Sequence, residues 1–146
     1  MKSMSIGELS ERSGVKITTI RYYEQVGLIS KPERSAGGRR MYREEDLQRL
    51  IFIRHSRQLG FSPDAIRSLI ELQAMPENDC AQANETAREQ LELVRQRIVQ
   101  LQSLERELER IAQSCERGMV EECQVMEALN EHGFCESDRH YRIKGF

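Results

Sequence analysis

The sequence predicts a mainly α-helical chain: an N-terminal winged helix-turn-helix, then a long antiparallel dimerisation helix, then a thiol-bearing C-terminal loop. Three observations predict it. Two short amphipathic segments meet at Ser13-Gly14 and lead into an arginine-rich stretch with paired glycines. Residues 81–114 carry apolar side chains at heptad spacing without a proline or glycine. Cys80, Cys115 and Cys123 bracket that repeat.

Charge divides the 146-residue chain in the same way. Residues 1–60 hold 12 Lys/Arg against 7 Asp/Glu, and residues 61–146 hold 10 against 17, so a basic front half is masked by an acidic back half. Such asymmetry fits one end that binds nucleic acid and another that does not. The N-terminus has no apolar signal region, and no run of about 18 apolar residues occurs, so a cytoplasmic protein without a membrane partner is expected. In a reducing compartment its four cysteines read as thiols, metal ligands or redox switches rather than structural disulfides. No nucleophile, base and orienting group cluster at a recognisable spacing, which argues against an enzyme.

Taken in order, Ser3 and Ser5 are candidate N-caps for a first helix that turns Ile6, Leu9 and Val15 inward. The second runs over residues 17–25 and stops at Gly27. Ile20 and Tyr23 face its core, and Thr18, Thr19, Arg21 and Tyr22 face out. SKPERSAGGRRMY, residues 30–42, reads as a hairpin or wing: Gly37 and Gly38 permit positive φ at its tip, and Arg34, Arg39 and Arg40 can reach phosphate oxygens. Leu47, Leu50, Ile51 and Ile53 give a third helix over residues 43–59, ended by Gly60. Ser62 caps a fourth, Pro63 occupies its first turn, and Ile66, Leu69, Ile70 and Leu72 form its buried stripe.

Asn78 or Asp79 can cap the long helix. Ala87, Leu91, Val94, Ile98 and Leu101 alternate four and three residues apart, as a two-stranded seam requires. Leu104, Leu108 and Ile111 resume the repeat after a three-residue slip, a mark of local overwinding. Val125, Met126 and Leu129 then give a short helix before Gly133, and the tail has no periodicity and is expected to be mobile. The expected divisions are 1–75 for the winged domain, 76–114 for the dimerisation helix, 115–131 for a metal-binding loop and short helix, and 132–146 for the tail.

If residues 81–114 are one helix, Cys80 and Cys115 stand about 50 Å apart at roughly 1.5 Å per residue. They cannot share a ligand within a chain. In an antiparallel homodimer, Cys80 of one subunit approaches Cys115 and Cys123 of the other, which gives two intersubunit thiolate sites. Cys115 and Cys123 alone could instead form a redox switch, although that would leave Cys80 without a role.

In TIRYYEQVGLI at residues 19–29, followed by Arg34, Gly38, Arg40 and Tyr42, the chain resembles the MerR family of bacterial transcriptional regulators. The resemblance reaches to about Leu129, with Arg39 standing where the family usually has an aromatic residue. It implies that Thr18, Arg21 and Tyr22 lie in or beside the major groove, and Arg34, Arg40, Tyr42 and Arg57 on the phosphate backbone. With the outward Thr19 and the wing's Arg39, these form the candidate DNA-binding set. The resemblance further implies a homodimer on a palindromic operator within an overlong promoter spacer. The effector-bound dimer would bend and untwist this DNA for RNA polymerase, reading deformability as well as bases.

It also favours a metal effector. Soft thiolates select copper(I), zinc, cadmium, lead or mercury. Three thiolates leave −1 around a divalent ion, as two do around copper(I), so the third cysteine favours about one zinc, cadmium, lead or mercury ion per subunit over copper(I). Family members that sense copper lack a cysteine at the Cys80 position, whereas those for zinc, cadmium, lead and mercury have one. Zinc would want a fourth ligand, from Glu116, Glu121, Glu122 or the tail. His132, Cys135 and His140 offer that ligand or a second metal site, against their reading as solvated tail residues. A multidrug-type regulator would need a further ligand domain after the coiled coil, for which about 25 residues are too few.

Overall fold

The computed structural model describes residues 2–114, 118–120 and 123–130. The chain divides into two compact units, Met1–Thr86 and Ala87–Phe146.

In the first unit, α1 (Ile6–Ser13) is capped by Ser5, whose Oγ accepts from the Glu8 amide at 3.2 Å. It ends at Gly14 in the left-handed region, φ +71°. A Cβ there would stand 2.5 Å from Arg54 Nη1, which donates to the Ser13 carbonyl at 3.2 Å. Glycine is therefore favoured by the backbone conformation, and a Cβ would in addition push the end of the Arg54 side chain aside.

α2 (Ile17–Gln25) follows after the tight turn and terminates through Gly27, φ +79°. β1 (Glu33–Arg34) pairs antiparallel with β2 (Arg40–Met41), Glu33 opposite Met41 and Arg34 opposite Arg40. Gly38, φ +79°, supplies the positive dihedral at the tip, and its amide donates to the Ser35 carbonyl at 2.9 Å. Beyond β2, Tyr42 forms an antiparallel bridge with Met4, each amide donating to the other's carbonyl at 2.8 and 2.9 Å. The N-terminal residues are thus joined to the base of the wing.

α3 (Glu44–Gln58) opens with Glu44, Glu45 and Asp46, which suit the positive end of the helix dipole, and Asp46 Oδ2 accepts from the Arg43 amide at 2.8 Å. Leu47, Leu50 and Ile53 are buried, as is Ser56, whereas Ile51 is 42% exposed. Of the four apolar positions that mark this helix in the sequence, Ile51 is thus the one outside the core. It lies roughly 100° around the helix from Leu50, outside the arc that Leu47, Leu50 and Ile53 define. α4 (Pro63–Gln73) has Ser62 as N-cap, accepting from the Ala65 amide at 3.1 Å, and Ile66 is its one buried residue. Together with Met4, Leu9, Ile20 and Tyr42 these side chains make the core of the unit.

α5 (Ala81–Ser114) begins where Asp79 Oδ1 accepts from the Ala81 amide at 3.0 Å. Asp79, not Asn78, makes the side-chain cap. The helix is 34 residues long, about 51 Å. Its seam side chains stay in solvent, Leu91 at 46% and Ile98 at 48% exposure among them. Glu107 is buried and is bound by Arg110 one turn on, at 2.6 Å. The short helix α6 (Gln124–Asn130) starts after Cys123. Among the described residues, no helix is long and apolar enough to cross a membrane.

Candidate nucleic-acid interface

The outer face of α2 and the inner edge of the wing enclose an open cleft of about 470 Å³ lined by Arg21, Glu24, Gln25, Lys31, Pro32, Arg34 and Arg40. Three of the arginines expected from sequence, Arg21, Arg34 and Arg40, therefore converge, and Lys31 joins them. α2 contributes Arg21 from its exposed face, since Ile20 beside it is fully buried and fixes the helix rotation. The hairpin contributes Arg34 and Arg40 as a cross-strand pair. Two cations at opposed positions repel one another. Arg34 Nη1 relieves this by donating to the Gly38 carbonyl at 3.0 Å, which turns its guanidinium toward the wing tip.

Arg40 is held differently. Its Nη1 lies 3.6 Å from Glu24 Oε2, and Glu24 is only 8% exposed at its side chain. The other oxygen, Oε1, accepts a hydrogen bond from the Tyr42 hydroxyl. Tyr42 is 0% exposed, and burial first, then the Glu24 carboxylate, holds its phenol well above the usual range. The expectation that Tyr42 reaches the phosphate backbone is corrected. Its ring is core, and its hydroxyl is engaged by a buried carboxylate. Glu24 had not been expected at the site, although its position four residues after buried Ile20 puts it on the inward face of α2.

The remaining residues are more dispersed. Thr18, Arg39 and Tyr22 are exposed, Tyr22 at 52%, whereas Thr19 is half-buried. The Tyr22 ring leans on Tyr23, centroids 6.0 Å apart, and half-buried Tyr23 packs against the core. Arg57 is exposed but donates from Nη1 to the Phe61 carbonyl at 2.9 Å, tying off the turn between α3 and α4. Arg67, unremarked in the sequence, donates to the Val26 carbonyl at 2.7 Å and fastens α4 to the end of α2.

Two cysteines occupy equivalent places on different helices. The Cys80 carbonyl accepts the first bond of α5, from the Asn84 amide at 2.9 Å, and the Cys123 carbonyl accepts from the Glu127 amide at 3.2 Å at the start of α6. Cys80 is exposed and Cys123 half-buried. Cys115, His132, Cys135 and His140 lie outside the described residues. Among the described residues of one protomer, no three His, Cys, Asp or Glu side chains converge into a metal-binding group.

A helix-turn-helix followed by a two-stranded wing, with a cation-lined cleft between them, defines a DNA-binding regulator. Comparison with known proteins agrees. A family profile described as MerR HTH family regulatory protein matches residues 4–73, and one described as MerR, DNA binding, matches residues 47–111. The HTH-type transcriptional regulator ZntR of Escherichia coli K12 is 42% identical over 130 residues, 86% of this chain and 92% of that protein. The mercuric resistance operon regulatory protein of Bacillus cereus is 36% identical over 125 residues, 85% of this chain and 95% of its own length. Among solved structures, the transcription regulator PbrR691 from Ralstonia metallidurans CH34 in complex with lead(II) superposes with a TM-score of 0.75 at 38% identity, covering 86% of this chain and 98% of that one. The chain belongs to the MerR family of transcriptional regulators, DNA-binding proteins rather than enzymes.

Proposed function

We propose that the chain is a metal-responsive regulator that binds a palindromic promoter operator as a homodimer. In this reading, uptake of a soft divalent ion by cysteines of both subunits leads the dimer to distort the operator, and RNA polymerase then transcribes metal-resistance or efflux genes. The observation that carries it is a four-cation cleft on the recognition helix and wing in a chain whose 34-residue helix has Cys80 at its start.

Several features support each part. An apolar stripe as continuous as Leu91, Val94, Ile98 and Leu101 is a partner surface, and burying each side chain contributes about 1.5–3 kcal/mol. An antiparallel pairing brings Cys80 beside the partner's Cys115 and the partner's Cys123, because the helix ends one residue before Cys115. Thiolates at these positions suit zinc, cadmium, lead or mercury, about one ion per subunit. The relatives are named for mercuric resistance in one case and solved with lead(II) in another.

The test is metal uptake by the reduced protein together with its Cys80→Ser variant. The variant should lose affinity for the ion yet keep operator binding; equal affinity would reject the intersubunit site. Operator-directed transcription measured across copper, silver, zinc, cadmium, lead and mercury then identifies the effector. Switching by oxidant in the presence of chelator would instead favour a thiol redox regulator.

A further inference from the structure

The DNA-binding reading accounts for the arginines of the cleft but not for the carboxylate among them. Glu24 is an acidic side chain on the recognition helix, placed within a surface of four cations. On electrostatic grounds alone it should weaken attraction to phosphate.

The geometry points to a different role: we propose that Glu24 is a positioning residue that orients Arg40 for a phosphate contact and locks the wing to the recognition helix. Its two oxygens have separate duties. Oε1 is fixed by the hydroxyl of Tyr42, a residue fully buried and pinned at its backbone by the two hydrogen bonds to Met4. Oε2 is left facing Arg40 Nη1 at 3.6 Å. The Tyr42 hydroxyl keeps its proton, so it remains a donor and cannot turn from the carboxylate without leaving both groups unsatisfied in the core. Arg40 is one-third exposed, so one part of its guanidinium meets Glu24 and the rest opens on the cleft beside Arg21 and Lys31. A guanidinium fixed in this way loses less side-chain entropy when it meets a phosphate than one swinging in solvent. The carboxylate also offsets the mutual repulsion of the cations before DNA arrives. Tyr42, Glu24 and Arg40 thus run from the core to the surface, across the junction of α2 and β2.

This inference rests on the reading of the cleft as the DNA face, and the experiment separates the two. Operator affinity and its salt dependence are measured for the full-length protein and for Glu24→Gln, Arg40→Ala and the double variant. Glutamine keeps an acceptor for Tyr42 and removes the charge that holds Arg40. The expected result is roughly tenfold weaker operator binding for Glu24→Gln, the loss of one charge-assisted contact. Its salt slope should be shallower by about one, with no further loss in the double variant. A purely structural role would leave the slope unchanged. Unchanged or tighter binding by Glu24→Gln, alongside weakened Arg40→Ala, would overturn the positioning role and leave the DNA face intact. Full operator affinity in Arg40→Ala would overturn both. Should Glu24→Gln fail to fold, Tyr42→Phe removes the hydroxyl that aims the carboxylate while keeping the ring; it must weaken binding in the same direction, and wild-type affinity would reject the proposal.

Discussion

Gly14 lies where two demands coincide, a positive φ of 71° and the guanidinium of Arg54 within contact distance of any Cβ. Alanine there must adopt a left-handed backbone and displace Arg54 from the Ser13 carbonyl. We expect Gly14→Ala to destabilise the domain by about 1–2 kcal/mol, read from the midpoint of urea unfolding. Tyr42 gives a second expectation. Its ionisation is raised above the ordinary value of 10.0, so the folded form holds its proton after the unfolded chain has lost it. The associated stability is fully present below pH 10 and is lost as pH rises beyond it. Stability should therefore fall on the alkaline side, and fall less steeply in Tyr42→Phe. Equal alkaline slopes in the two proteins would show that the hydroxyl is not the titrating group.

At the scale of elements, local rules govern the starts of the helices. Ser5, Ser62 and Asp79 cap α1, α4 and α5 with short side-chain oxygens. Ser62→Ala should cost about 1 kcal/mol, since only the Ala65 amide loses its partner there. Those caps, the glycines at positions 14, 27 and 38 and the heptad repeat were legible in the sequence because each depends on residues a few places apart. What was not legible depends on partners far along the chain. Tyr42 is drawn inward by Met4 and Glu24, 38 and 18 residues away, and Arg57 is occupied by the Phe61 carbonyl. Ile51 carries an apolar label but sits just outside the buried arc set by Leu47, Leu50 and Ile53. The cleft was half legible: Arg21, Arg34 and Arg40 stood out as a charge pattern, whereas Lys31 beside them and the carboxylate among them did not.

For the molecule as a whole, the proposed dimer rests on the exposed apolar stripe of α5. A charge at its centre has no place in a two-stranded seam, so Ile98→Glu should shift the protein toward monomer in sedimentation experiments and reduce operator affinity with it. The isolated winged domain should remain folded, because its core of Leu9, Ile20, Leu50, Ile53 and Ile66 is complete without α5. A dimer that survived Ile98→Glu would move the subunit interface elsewhere on the chain.

The bridge between Met4 and Tyr42 has a practical consequence for handling the protein. Because Met4 gives both its amide and its carbonyl to the residue at the foot of the wing, a load fused just ahead of it pulls directly on the base of the hairpin. An affinity tag placed there would strain the bridge that seats the wing, and a histidine tag would add imidazoles to any metal titration. The same tether makes that end a suitable place for a fluorophore, whose emission would report loosening of the wing from the N-terminal residues.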